Sequence, residues 1–254
     1  MLVIANWKMH GSQKFIEDWL KTSSDILNQK NDLAGLNSLQ VGIAPPFPYL
    51  ALVHNNRLSD WWLGAQDISE HNVEGAHTGH VTSSMLKDVG CNFVIIGHSE
   101  VRKAGETSSQ RLDKLKSAVS AQLLPIFCIG ESLAQRQSGE SWSFVKAQLN
   151  ELKQLELNEL VLAYEPIWAI GTGVQAKPED VATMHDNIRV WLSENLPHLA
   201  GANQPGILYG GSVKPNNAQV LCALAEVSGV LVGGASLKPT DFMAIVHAAA
   251  RSID

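Results

Sequence analysis

Cysteine is scarce in this chain: Cys91, Cys128 and Cys222 are the only three in 254 residues. They are odd in number and widely spaced, which excludes a disulfide framework and a zinc-ligand cluster built on cysteine. No apolar run nears the ~18 residues that crossing a bilayer requires. Met1-Leu2-Val3-Ile4-Ala5 has no basic segment and runs straight into Asn6-Trp7-Lys8, so no secretory leader is expected. Positive charge is in deficit as well. Nineteen Lys and Arg against 25 Asp and Glu leave a net charge of −6, unsuited to non-specific nucleic-acid binding. Low-complexity tracts, charge blocks and linkers are missing too, so residues 1–254 read as one domain. The expectation is a reduced, cytoplasmic protein with neither a membrane nor a nucleic acid as partner.

What the chain does contain is alternation. Apolar residues make up 45% of it and charged residues 17%, enough for a large core. Short apolar runs recur at 2–6, 39–44, 62–66, 92–97, 123–129, 160–165, 206–210 and 229–233. Stripes of helical period lie between them. Phe15, Ile16, Trp19, Leu20, Ile26 and Leu27 form one stripe, and Phe144, Val145, Leu149, Leu152 and Leu155 form another. A third runs from Pro178, well placed for a first helical turn, through Val181, Met184, Ile188, Trp191 and Leu192. Eight strands alternating with helices predict a parallel sheet, and a length near ~250 residues suits a single (β/α)8 barrel. An open doubly wound sheet is the alternative. The polar residues favour the barrel: Asn6, Lys8, Gln66, His98, Glu165, Gly210-Gly211-Ser212 and Gly233-Gly234 all fall at the ends of strand candidates. In a barrel, those carboxyl ends converge on one face.

The most informative segment is Ala163-Tyr164-Glu165-Pro166-Ile167-Trp168-Ala169-Ile170-Gly171-Thr172-Gly173. A buried strand ends in a carboxylate, and Pro166 stops further ladder pairing. Ile167, Trp168 and Ile170 are large and apolar for a loop. A lid that excludes water accounts for them, and the terminal glycines can absorb a hinge rotation. Two glycine pairs, Tyr209-Gly210-Gly211-Ser212 and Val232-Gly233-Gly234-Ala235, follow the seventh and eighth strand candidates. There backbone N–H groups can approach an anion, and this fold commonly holds phosphate at that place. Lys8 is a cation on the same rim. His98 ends an apolar strand just before Ser99-Glu100, where a helix N-terminus would keep the ring neutral. A glutamate base, a neutral histidine donor, a lysine and a phosphate cradle suit proton abstraction beside a carbonyl in a small phosphorylated sugar. No motif is read as a metal-ligand set, and no GxGxxG follows the first strand. The expectation is no metal and no cofactor.

These segments, with Ala44-Pro45-Pro46, Gly64-Ala65-Gln66 and Cys128-Ile129-Gly130-Glu131, occur in an order and spacing that resemble the triosephosphate isomerase family over essentially the whole chain. That resemblance implies interconversion of D-glyceraldehyde 3-phosphate and dihydroxyacetone phosphate. Glu165 would be the base and neutral His98 the electrophile, the pairing for which the family is known. It implies that Lys8 and Asn6 contact the substrate, with Glu100 beside Lys8. Gly171, Ser212, Gly233 and Gly234 would hold the phosphate, and the lid would span Pro166–Ala176. It further implies a homodimer made through the Gly75–His80 loop, and a packing role for Cys128. The chain departs from the family pattern at His77, where an aromatic residue is common, at His80, where a glutamate is, and at Val101, where an arginine is. His10 and Asp67 replace asparagines. A sugar-phosphate aldolase would need a Schiff-base lysine at an inner strand position, and none stands there. Retention of Glu165, His98 and Lys8 together argues against a catalytically silent barrel.

Overall fold

The computed structural model of the chain describes residues 1–29, 38–58, 60–170, 175–199 and 204–253. Eight parallel strands close into a barrel in chain order. They are β1 (Leu2–Asn6), β2 (Gln40–Ala44), β3 (Trp62–Ala65), β4 (Phe93–Ile96), β5 (Leu124–Ile129), β6 (Val161–Tyr164), β7 (Gly206–Tyr209) and β8 (Gly229–Val232). The closing pair is β1 against β8, in register from Leu2 with Gly229 to Ala5 with Val232. Closure leaves no sheet edge to protect. The strand candidates of the sequence therefore stand, each trimmed by at most one residue at an end.

Both faces of these strands are buried, which is why they read as continuous apolar runs rather than alternating ones. The alternation exists in space. Ile4, Phe93, Ile95, Ile126, Val161, Ala163, Leu208 and Leu231 point inward and fill the barrel, whereas Val3, Ala5, Val94, Ile96 and Leu162 face the helices. Phe93 is large for a barrel interior and needs room. Gly42 and Gly64 supply it, since a Cβ on Gly64 would collide with the Phe93 ring.

The outer layer contains α1 (Gln13–Gln29), α2 (Leu50–Asn56), α3 (Ser83–Asp88), α4 (Ser99–Lys103), α5 (Ser108–Ser120), α6 (Leu133–Gln137), α7 (Ser141–Asn150), α8 (Pro178–Asn195), α9 (Ala218–Cys222) and α10 (Pro239–Ala250). Start signals are local. Thr107 and Ser132 each form a capping box, with Gln110 and Gln135 respectively, and Pro178 and Pro239 occupy first turns. The stripe ending at Leu155 is not one helix. α7 stops at Asn150, and a 3-10 turn, Glu151–Gln154, follows. Leu152 and Leu155 still reach the core, while Phe144 is partly exposed.

Under β1 and β8 sits an aromatic cluster. Trp19 of α1 meets Trp7, Trp61 and Phe242 at centroid distances of 5.1, 6.0 and 5.6 Å. Burying ~200 Å² of such a ring is worth at most about 5 kcal/mol. The Trp19 indole also donates to Ser236 O at 2.9 Å. The first helix is thereby tied to the turn that follows the last strand, one of the two glycine turns on the site-bearing rim.

Candidate active site

Asn6, Lys8, His98, Glu165, Gly210, Gly211, Ser212, Gly233 and Gly234 line one cavity of about 590 Å³ at the carboxyl end of the barrel. Side chains from β1, β4 and β6 meet there the glycine turns after β7 and β8. The strand tips supply the directionality that the sequence only suggested. Gly171 lies outside the described residues, as do Thr172, Gly173 and Val174.

Glu165 is 2% exposed, and its position depends on the neighbouring strand. Its N–H donates to Ile129 O at 2.7 Å. Gly130 must be glycine there, because a Cβ would run into the Glu165 carbonyl. The carboxylate accepts two hydrogen bonds: Oε1 lies 2.9 Å from His98 Nε2, and Oε2 accepts from Ser99 N–H at 2.9 Å. His98 caps α4, its Nδ1 accepting from Glu100 N–H at 3.2 Å. With Nδ1 accepting, Nε2 is the nitrogen left to donate to Glu165. Gly97, just before it, has φ +71°, a turn that carries the chain from β4 into α4 at a position where glycine is least strained.

Lys8 is held in a left-handed conformation, φ +51°, costing about 1 kcal/mol for a residue with a Cβ. Its surroundings fix that conformation. Lys8 N–H donates to Asn6 Oδ1 at 3.0 Å, and Gln66 Nε2 donates to Lys8 O at 2.9 Å and to Ala44 O at 2.8 Å. The ammonium group pairs with Glu100 Oε1 at 2.7 Å, with Lys8 22% and Glu100 59% exposed at the side chain. Such exposure keeps the pair's contribution to stability within about 1 kcal/mol. Partial burial is the largest single influence on the Glu100 carboxyl and raises it, but the Lys8 hydrogen bond, the Lys8 charge and the nearby His98 ring together leave it below its ordinary range.

The stem of the expected lid is anchored away from the cavity. Ile167–Ala169 form a 3-10 turn. Trp168 is buried, donating its indole N–H to Glu131 Oε1 at 2.8 Å, and Tyr164 O–H donates to the same oxygen at 3.1 Å. The Arg136 guanidinium lies 4.2 Å from the Trp168 ring centroid. Burial raises the Glu131 carboxyl above the usual carboxylate range, and the two donated bonds only partly offset it. Ile170 lines the cavity itself. Cys128 is fully buried, and burial pushes its thiol well up, so its surroundings are those of a packed group.

Sequence reading missed Lys214, Lys238 and Asp241, which also line the cavity. Their signal is position, since each follows a glycine turn by a few residues. Asp67 has found a partner, Lys114 Nζ at 2.7 and 2.9 Å. Glu106 binds the same ammonium at 2.6 Å.

A closed parallel barrel that gathers a buried carboxylate, an imidazole and an ammonium group around one cavity at its strand ends defines a (β/α)8-barrel enzyme. Comparison with known proteins narrows the class. The family model described as Triosephosphate isomerase matches residues 1–249. Proteins named triosephosphate isomerase from Polynucleobacter asymbioticus and Hydrogenovibrio crunogenus are 41% and 42% identical. These alignments cover 98% of this chain with 99% of the first relative and 98% of the second. One from Xanthomonas axonopodis pv. citri is 42% identical, over 98% of each chain. The chain belongs to the triosephosphate isomerase family, and it is an isomerase.

Proposed function

We propose that the chain interconverts D-glyceraldehyde 3-phosphate and dihydroxyacetone phosphate through an enediolate, with Glu165 as base and neutral His98 as electrophile. The observation that carries this reading is the pair of hydrogen bonds that hold Glu165. Both carboxylate oxygens are occupied, by His98 Nε2 and Ser99 N–H. A substrate carbonyl oxygen entering beside His98 replaces Glu165 Oε1 as acceptor of the Nε2 proton. That releases the carboxylate toward the adjacent C–H. Glu165 then takes a proton from one carbon and returns it to its neighbour, while His98 and the Lys8 ammonium stabilise the charge on oxygen. Asn6 orients the lysine and the substrate, and Glu100 acts through Lys8. Ser212, Gly233 and Gly234, with Gly171 beyond the described residues, hold the phosphate by backbone N–H groups. The reaction so written calls on no cofactor.

A coupled assay following glyceraldehyde 3-phosphate tests the activity. Glu165→Gln keeps the shape and removes the proton acceptor, so kcat falls by orders of magnitude with a much smaller change in KM. A variant retaining more than about a tenth of kcat, a loss below ~1.4 kcal/mol, excludes Glu165 as the base.

Residues 1–254 are read as one domain, since the barrel takes strands from both ends of the chain. The homodimer through the Gly75–His80 loop is proposed from the family resemblance, with a cleft on the same rim as the place where such a loop would seat. That cleft of about 290 Å³ beside Lys8 is lined by Met9, Phe47, Glu100 and Val101, and Met9 is 94% exposed. Sedimentation velocity at micromolar protein tests it, a single species of monomer mass counting against it. No helix among the described residues is long and apolar enough to cross a membrane, and a cytoplasmic location is proposed with the activity.

A further inference from the structure

The segment after β3 carries four groups that the reaction does not use. Glu70, His71 and His80 each offer one ligand atom, and these atoms lie within 4.8 Å of one another. The ring of His77 stacks on His71, centroids 3.5 Å apart and planes 16° apart. The spacing Glu70-His71, then six residues on His77 and three more His80, matches no ligand motif weighed from the sequence. The fold brings them together by turning the chain back on itself. Ser69 N–H donates to Val81 O at 2.9 Å, closing the base of the loop.

We propose that Glu70, His71 and His80 form a site for a divalent transition metal of the zinc class, with His77 packed on one ligand ring as its support. The donor set is one carboxylate and two imidazoles, a combination that binds zinc with a fourth position left for water. Tetrahedral bonds of ~2.0–2.1 Å place ligand atoms about 3.4 Å apart, so closing on an ion needs movements of about 1–1.5 Å. The starting geometry is close to that: His80 Nδ1 already lies 3.8 Å from Glu70 Oε2. The remaining contacts orient the ligands. Ser69 Oγ accepts from His71 N–H at 3.1 Å and lies 3.0 Å from His80 Nδ1. With the Ser69 hydroxyl donating, His80 Nδ1, the nitrogen that faces Glu70, carries the lone pair, and binding an ion there exchanges Ser69 for the metal. Gln110 Nε2 holds Glu70 Oε1 at 3.3 Å and leaves Oε2 free to ligate.

Calorimetric titration of the EDTA-treated full chain with Zn²⁺ alone is the test. One saturable site per chain is expected, weakened at least about tenfold in His71→Ala and in His80→Ala. In His54→Ala, which alters an exposed histidine on α2, it is unchanged. Zn²⁺ should also raise Tm for the native chain and not for the His71→Ala/His80→Ala double variant, because only a native-state site couples binding to stability. Absence of saturable binding overturns the proposal. So does binding that survives unweakened in both single variants, which would put the ion on other ligands.

Discussion

Gly234→Val separates the anion site from the fold. A Cβ built on Gly234 meets nothing within 4 Å, and Gly234 is not among the residues of positive φ. The added methyl groups therefore enter the cavity space that Gly234 lines. Folding should tolerate this within ~0.5 kcal/mol, and for a chain of this size Tm should move by no more than about 2 °C. Binding of a phosphate dianion should not tolerate it. Each hydrogen bond from a backbone N–H to a charged group contributes about 1.5–3 kcal/mol, so losing one weakens the anion by about 12- to 160-fold. Steady-state kinetics with inorganic phosphate as inhibitor reads both effects. KM for the triose phosphate and the competitive Ki for phosphate should rise together by that factor. Gly233→Ala is the contrasting variant. Its Cβ would lie 3.1 Å from Lys8 Cε, so it displaces the lysine and lowers kcat as well. A Ki unchanged in Gly234→Val, or phosphate inhibition that is not competitive, would falsify the placement of the anion.

Three further outcomes follow from packing and burial. Glu131 has a folded pKa raised above its ordinary value of 4.5, so its contribution to stability is full below that pH and is lost as pH rises; Glu131→Gln should leave Tm unchanged or higher at pH 7 and flatten its decline above pH 4.5 in a calorimetric series, and a marked drop in Tm at pH 7 would contradict this. Cys91, Cys128 and Cys222 are all buried, with burial pushing Cys91 up to about 12 and Cys222 to about 11; a disulfide reagent at pH 8 should label none in the native chain and three in denaturant, and one fast-reacting native thiol would refute it. Gly64→Ala places a methyl group in the Phe93 ring and should cost about 1–3 kcal/mol in chemical denaturation, partly recovered by Phe93→Leu; full stability in the single variant would show that Phe93 can move aside.

Barrel strands were legible because burial on both faces leaves uninterrupted apolar runs, and their tips were legible because polar residues interrupt those runs abruptly. Asn6, His98 and Glu165 stand out for that reason, with Lys8 close behind. Which of Val3, Ile4 and Ala5 faces the barrel interior was not legible, since all three are apolar and all are buried. Contacts set by the third dimension were also hidden. The Ser99 N–H that occupies Glu165 comes from 66 residues away, and the lysine that holds Asp67 from 47 residues away. His77 and His80 stood out only as departures from the family pattern; their meeting with Glu70 and His71 was hidden because a closed loop, rather than a regular element, sets the spacing. Helical period joined Leu155 to α7 because a 3-10 turn keeps apolar residues near enough to the same face to preserve the pattern.

The backbone twist at Lys8 bears on how portable this chemistry is. The ammonium group is aimed by its main chain, and that main chain is clamped by the Asn6 side chain from the same strand and by Gln66 from beyond β3. A lysine grafted alone onto the first strand of another barrel would relax to ordinary φ values and swing its charge off the rim. The transferable unit is three residues at the ends of two strands, and a redesign that exchanges Gln66 for an apolar residue would disable a lysine it never touches in sequence.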